Sequence, residues 1–324
     1  MNLEEVIQSI EGELKEIEAD MAKNLLSEIA MIPKVSRYLI ASGGKRFRPM
    51  LVVLGAKLCG YQGPRTVPLA SAIEFIHTAT LLHDDVVDSA FMRRGIASAN
   101  TVWGNGASVL VGDFLYCKSF SIIVQDGNLR VLEVISTTTT LMAEGEVMQW
   151  MKKGNPETHE GDYFFVVTHK TARLISAACR IGAILGGVAP EQEKALADFG
   201  LQLGIAFQLV DDALDYSADE EVFGKAIGKD LEEGKITLPL IYALKTAPPD
   251  GQKRIAAVIR DPERSPEGLA FVMKAVQGCG AVPYTTKRAA EFVSKARAAL
   301  SSFPPTPEKE ALLILADYTI QRKK

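Results

Sequence analysis

The sequence predicts an all-α fold, and three observations carry that expectation. Apolar residues recur at three- and four-residue spacing through most of the chain. No segment sustains the two-residue alternation of a half-buried strand. The interruptions between periodic runs are rich in Gly, Pro and Asp, which stop helices. The 324 residues show no composition shift that would mark a linker, so one domain spanning 1–324 is expected.

Taken in order, residues 3 to about 32 place Val6, Ile10, Leu14, Ile17, Met21 and Leu25 on one face and predict a single amphipathic helix. Ser42-Gly43-Gly44 stops it, and the basic run Lys45-Arg46-Phe47-Arg48-Pro49 leads into a new apolar run from Met50. After a break at 60–68, a long helix carries Ile73, Phe75, Ile76, Leu81 and Leu82 and is expected to end near Arg93-Arg94-Gly95. Helices follow at about 107–124 and 130–151. The β-branched run 137–140 stays helical because Leu132, Ile135, Leu141 and Met142 keep the spacing around it. A polar loop at 152–161 precedes a helix that Asp162 is expected to cap and that bears Lys170-Thr171. Another helix starts after Pro190 and runs to about Tyr216. A Gly- and Lys-rich loop covers 224–239, and breaks near 248–251, 262–268 and 304–307 divide a helical C-terminal third.

Composition excludes several function classes. With 47% hydrophobic and 23% charged residues and a net charge of −4, the chain has no general attraction for nucleic acid, so an anionic substrate needs a local basic site. The four cysteines, Cys59, Cys117, Cys179 and Cys279, form no CxxC pair and suit a reducing, cytoplasmic setting. The first residues lack a signal-peptide pattern, and the apolar stretch 174–188 contains Arg180 and is too short to span a bilayer.

The chemistry concentrates at Asp84, Asp85 and Asp88, three carboxylates at i, i+1 and i+4 in an apolar run. Asp84 and Asp88 fall one turn apart on one helix face. Like charges at that spacing repel, and flanking Leu and Val residues argue against a merely solvated acidic face, so a cation must meet them. A hard divalent cation is the natural candidate. The pattern recurs as Asp211, Asp212 and Asp215. Two such triads facing each other would make a cage for several Mg²⁺ ions and a diphosphate, since Mg²⁺ takes one or two carboxylates plus phosphate oxygens. The four histidines form no metal-ligand pattern, and no side-chain nucleophile has a plausible partner.

With Met92-Arg93-Arg94-Gly95 after it, the first triad resembles the first aspartate-rich motif of the trans-prenyltransferases, and Asp211-Asp212-x-x-Asp215 resembles their second. The segments 43–49, Lys170-Thr171, Phe207-Gln208, 224–231 and Glu233-Gly234-Lys235-x-Thr237-Leu238-Pro239 follow in the family's order, over nearly the whole chain. The run 74–83 is similar to the approach to the first triad in bacterial octaprenyl diphosphate synthases. Ser89-Ala90 depart from the pattern, standing where an acidic residue is common. The resemblance implies a bundle of antiparallel helices around a deep central cavity, of the isoprenoid-synthase type. It also implies a homodimer and a long apolar product that touches the membrane transiently on release.

The implied reaction is Mg²⁺-dependent condensation of isopentenyl diphosphate onto an allylic diphosphate such as farnesyl diphosphate, giving an octaprenyl-like chain for a quinone. By the same resemblance, Lys45, Arg48, His77 and Arg94 bind isopentenyl diphosphate, while Arg93, Lys170, Thr171, Gln208, Lys225 and Lys235 line the allylic diphosphate. Arg93 and Lys170 join the six aspartates as catalytic residues. The product tail would run back along the helix bearing Asp84, past the small residues Ala79 and Thr80, where an aromatic floors short-chain relatives. Phe75, Ile76, Ile123 and Ile135 are candidates for the floor. Three alternatives are weighed. A farnesyl or geranylgeranyl synthase conflicts with Ala79 and Thr80. A terpene cyclase leaves the segment 43–49 and Arg94 unexplained. A non-catalytic partner subunit should have lost carboxylates.

Overall fold

The computed structural model describes residues 1–41, 43–44, 46–217 and 228–321, the side chain of Ala41 excepted. Lys45 and Lys225, both expected at the site, lie outside the described residues. Helices dominate, as the periodicity predicts, and among the described residues the sole strands are Met92–Arg93 (β1) and Ile96–Ala97 (β2). These pair antiparallel, Met92 opposite Ala97 and Arg93 opposite Ile96. The chain divides into two compact units. The first comprises Met1–Thr137, Ala177–Ala197 and Ser302–Ile314, and the second comprises Thr138–Ser176, Asp198–Ser301 and Leu315–Lys324.

The first unit opens with α1 (Leu3–Ser9) and α2 (Glu11–Asn24) where the sequence predicted one helix to about residue 32, and a separate α3 (Met31–Ala41) follows. Asn2 and Glu5 cap α1 reciprocally, and the chain breaks at Ile10, whose φ is −127° and ψ 17°. The periodicity hides this break because Ile10 keeps its side chain in the core beside Val6, Ile17 and Met21. Next come α4 (Phe47–Leu58) and α5 (Thr66–Val87). Buried Ile73, Phe75, Ile76, Ala79 and Leu82 make α5 a central helix, packed against α2, α4 and α6 (Ala99–Asp126).

The long helix ends at Val87, earlier than expected. Asp88 donates its N–H to the Asp84 carbonyl at 2.8 Å, Ser89 turns left-handed with φ 52°, and the hairpin follows. α6 begins earlier than expected because Gly104, at φ 83° and ψ 161°, kinks it without ending it. Gly112 lets α6 approach α5, since a Cβ there would stand 2.3 Å from His83 Nε2. α6 alone among the described helices is long and apolar enough to cross a membrane. Its inner face, Val111, Leu115, Ile122 and Ile123, is buried.

In the second unit, α7 (Leu129–Lys152) contributes its C-terminal part. His159, and not Asp162, is the N-cap of α8 (Glu160–Val166), and Asp162 answers from the third helical position to complete the capping box. A π-helical turn, Val167–Ala172, joins α8 to α9 (Arg173–Gly186), and α10 is Pro190–Ser217. The π turn is seated between two glycines. A Cβ on Gly145 would come within 2.6 Å of the Lys170 nitrogen, and one on Gly204 within 2.6 Å of Ala172 Cα. Short helices from Leu238–Thr246 to Ala281–Ala299 surround a core of Tyr216, Leu231, Leu240, Ile255, Ile259, Val272 and Val276. Pro249 and Pro266 occupy first helical turns, as expected where Pro lies at helix starts.

Candidate active site

In the first unit, the end of α5 presents Asp84 and Asp88 half-buried, while Asp85 is fully buried at 0% exposure. Arg93 Nε donates to Asp85 Oδ1 at 2.6 Å. The Asp85 backbone carbonyl accepts from Asn100 Nδ2 at 3.1 Å and from the Ala90 N–H at 2.9 Å. The hairpin carrying Arg93 is anchored in turn: Tyr38 Oη donates to the Ala97 carbonyl at 2.8 Å, and the Tyr38 ring stands edge-on to Trp103 at 4.9 Å.

Arg46, Arg48, Arg93 and Arg94 gather around His77. Burial, then these guanidinium charges, holds the imidazole well below its ordinary range, so His77 is neutral and able to donate or accept without adding charge. Arg94 donates to the Gly43 carbonyl. Two of the guanidinium residues, Arg46 (φ 49°) and Arg94 (φ 50°), hold left-handed backbones, which non-glycine residues seldom adopt. Buried Glu74 lies 3.5 Å from Arg46 Nη1 and also faces Arg94. A basic pocket of this composition suits a diphosphate bound without metal.

The second unit repeats the acidic pattern on α10. Asp211 and Asp215 are half-buried, and Asp212 is 3% exposed. Tyr163 Oη donates to Asp212 Oδ2 at 2.6 Å, and Gln208 Nε2 donates to Asp212 Oδ1 at 2.8 Å. Thr171 Oγ1 donates to Gln208 Oε1 at 3.1 Å. Burial pushes the Asp212 carboxyl up to about 7, against the pull of Tyr163 and Gln208 and with help from Asp211 and Asp215. Asp215 is also raised, first by burial, although its oxygens accept the Lys229 and Asp230 backbone N–H groups at 3.2 and 3.1 Å. Burial, then Asp215 and Asp212, drives Asp230 well above the carboxylate range.

Lys170, on the π turn, donates to Gln149 Oε1 at 2.8 Å and pairs with Glu146. Lys235 pairs with Glu233 at 2.7 Å. Asp212, Asp215 and Asp230 are each raised by burial and by neighbouring carboxylates, and with Asp211 they offer oxygen donors alone, which fits a hard divalent cation. Among the described residues no group of three His, Cys, Asp or Glu converges into a ready-made metal site.

The residues expected to set product length all fall in the first unit. Phe75, Ile76, Ala79 and Ile135 are 0% exposed and Ile123 1%, while Thr80 is half-buried and donates to the His77 carbonyl at 2.8 Å. Sequence reasoning missed Tyr163, Glu74, Arg46 and Asp230. Arg46 lay within the basic run 45–49 and Asp230 within the Gly- and Lys-rich loop 224–239, whereas Tyr163 and Glu74 carried no such signal.

The polyprenyl synthetase family model matches residues 29–276. The chain belongs to that family. It is 46% identical over 324 residues to octaprenyl diphosphate synthase of Escherichia coli K12, covering 100% of both chains. A geranylgeranyl diphosphate synthase of Methanosarcina mazei is 36% identical over 295 residues, 90% of this chain and 89% of that one. Among solved structures, the polyprenyl synthase of Caulobacter crescentus CB15, complexed with calcium and isoprenyl diphosphate, superposes with a TM-score of 0.95. It is 39% identical and covers 100% of this chain and 98% of its own.

Proposed function

We propose that this family member is a long-chain all-trans polyprenyl diphosphate synthase. It extends an allylic diphosphate, starting from farnesyl diphosphate, by repeated addition of isopentenyl diphosphate to an octaprenyl-like product for a quinone side chain. One observation carries the reading. Asp-Asp-x-x-Asp occurs twice, each time as two half-buried carboxylates one turn apart around a buried third, in a chain 46% identical to an octaprenyl diphosphate synthase. The family match, running across both compact units, supports treating them as one catalytic domain.

In this reading Asp84, Asp88, Asp211 and Asp215 hold Mg²⁺, with Asp85 and Asp212 fixing the two motifs from behind. When bound, Mg²⁺ neutralises charge on the leaving diphosphate as the allylic C–O bond breaks. Lys170, Thr171, Gln208, Arg93, Lys225 and Lys235 hold that diphosphate. Arg48, Arg94, Lys45 and His77 hold isopentenyl diphosphate so that its double bond meets the allylic carbon. The new C–C bond forms as the allylic C–O bond opens. The proton then lost from the isopentenyl unit leaves with the departing diphosphate, and His77, whose pKa is held well below its ordinary range, is a weak base that competes poorly for it. The calcium and isoprenyl diphosphate in the Caulobacter relative support the choice of a divalent ion and of this substrate class.

The enzyme acts in the cytoplasm as a homodimer. Exposed Val102, Val109, Leu110 and Val124 on α6 supply an apolar surface for a second copy, and the long product touches the membrane only at release. A geranylgeranyl-type activity is the weaker reading, since that relative is less similar and Ala79 and Thr80 are small.

The test incubates purified protein with farnesyl diphosphate, labelled isopentenyl diphosphate and Mg²⁺, with and without chelator. Chelator-sensitive products of about eight isoprene units are expected, one added per cycle, each about a helical turn long. No incorporation with metal present would overturn the reading.

A further inference from the structure

We propose that Tyr163 is the positioning residue of the second carboxylate cluster: it locks Asp212 so that Asp211 and Asp215 are presented to the metal–diphosphate group. The proposal rests on the assignment of that cluster made above. Tyr163 is 4% exposed and makes a 2.6 Å hydrogen bond to Asp212, a residue distant in sequence on another helix. The other Asp212 oxygen accepts from Gln208, and Gln208 accepts from Thr171. In its ionised form, the one a cation requires, Asp212 only accepts, and the phenol and the amide then both donate inward.

The choice of donor matters. Asp85, the buried aspartate of the first cluster, is held by a guanidinium, which offsets its charge. Asp212 is held by a neutral phenol and a neutral amide, which fix its rotamer and leave its charge for a cation. A charge-neutral clamp on a buried carboxylate suits a site that must stay acidic until a metal–diphosphate group arrives. Tyr163 is placed for this by the preceding capping box, in which His159 and Asp162 fix the first turn of α8. Its ring is buried and packs edge-on to Phe164 at 5.4 Å.

Tyr163→Phe removes the donor and keeps the ring. Calorimetric titration of the full chain with inorganic pyrophosphate in Mg²⁺ should show about tenfold weaker binding, the size expected for loss of one hydrogen bond to a charged group. The KM for isopentenyl diphosphate should stay at the wild-type value while the KM for farnesyl diphosphate rises. In an Asp212→Asn background, Tyr163→Phe should weaken pyrophosphate binding no further, because the phenol acts through that carboxylate. Unchanged Mg²⁺–pyrophosphate affinity in Tyr163→Phe, or losses that add fully in the Asp212→Asn background, would overturn the proposal. A wild-type protein that binds no pyrophosphate with Mg²⁺ would instead overturn the assignment of the cluster.

Discussion

Gly145 touches the backbone of Lys170 so closely that a Cβ built on it would stand 2.6 Å from the Lys170 nitrogen. The contact seats the π turn that carries Lys170 and Thr171, and π turns persist where a packing or functional demand holds them. Gly145→Ala must push the turn away or straighten it. Urea denaturation should show a loss of about 1–3 kcal/mol, the range for overpacking a tight site. The KM for the allylic substrate should rise because Lys170 and Thr171 move together. A variant with wild-type stability and KM would show that the turn does not depend on this contact.

Arg93 and Asp85 offer a second test. The guanidinium is 23% exposed and its carboxylate partner 0%. Replacing Arg93 by Met removes the counter-charge from a buried acid, which costs on the order of 3 kcal/mol. Asp85→Asn with Arg93→Met should recover much of that stability, since no buried charge remains to be offset. Denaturant titration of the single and double variants measures the difference. Equal destabilisation in both would mean that an uncompensated Asp85 charge is not the source of the loss.

The helices themselves were legible because burial selects apolar side chains at helical spacing, and that spacing survives even where the backbone breaks. The same fact conceals the break at Ile10, where a buried side chain keeps the pattern across a non-helical residue. The π turn was invisible for a related reason: it packs directly against Gly145 and Gly204, residues far from it in sequence that leave no room for a Cβ. The carboxylate clusters stood out because acids are rare in apolar runs. Which acid of each triad is buried depends on how the helix is rotated against its neighbours, so Asp85 and Asp212 could not be told from the others. Tyr163, within Tyr163-Phe164-Phe165, reads as core, and its partner lies 49 residues away.

His77 gives a pH dependence with a definite sign. Its native pKa lies well below the ordinary 6.5, through burial and then the neighbouring arginines. Below pH 6.5 the unfolded chain takes up a proton that the native chain refuses. Stability is therefore full above that value and falls as pH drops toward the depressed native pKa, by up to about 1.4 kcal/mol per pH unit. His77→Gln, which keeps an amide donor and cannot titrate, should flatten this part of the curve. Stability measured between pH 7 and 5 in both proteins decides it, and parallel curves would remove His77 as the cause.

Ala79 and the product tail make the last test. Ala79 is fully buried on α5, one turn before the aspartates, with Phe75 and Ile76 a further turn back. If the tail passes Ala79, an aromatic side chain there blocks it, and a helical turn of about 5.4 Å matches roughly one isoprene unit. Ala79→Phe should then shift products to no more than about four units while keeping most of the protein's stability, because the ring fills space the tail would use. If Ala79 instead borders solid core, the same ring overpacks it, at a cost of about 1–3 kcal/mol, and product length stays the same. Phe75→Ala separates the cases from the other side. It should lengthen the product if Phe75 helps close the floor, and otherwise merely open a cavity costing about 3–5 kcal/mol. Product ladders and denaturation curves, run on both variants, distinguish a tunnel wall from a core position.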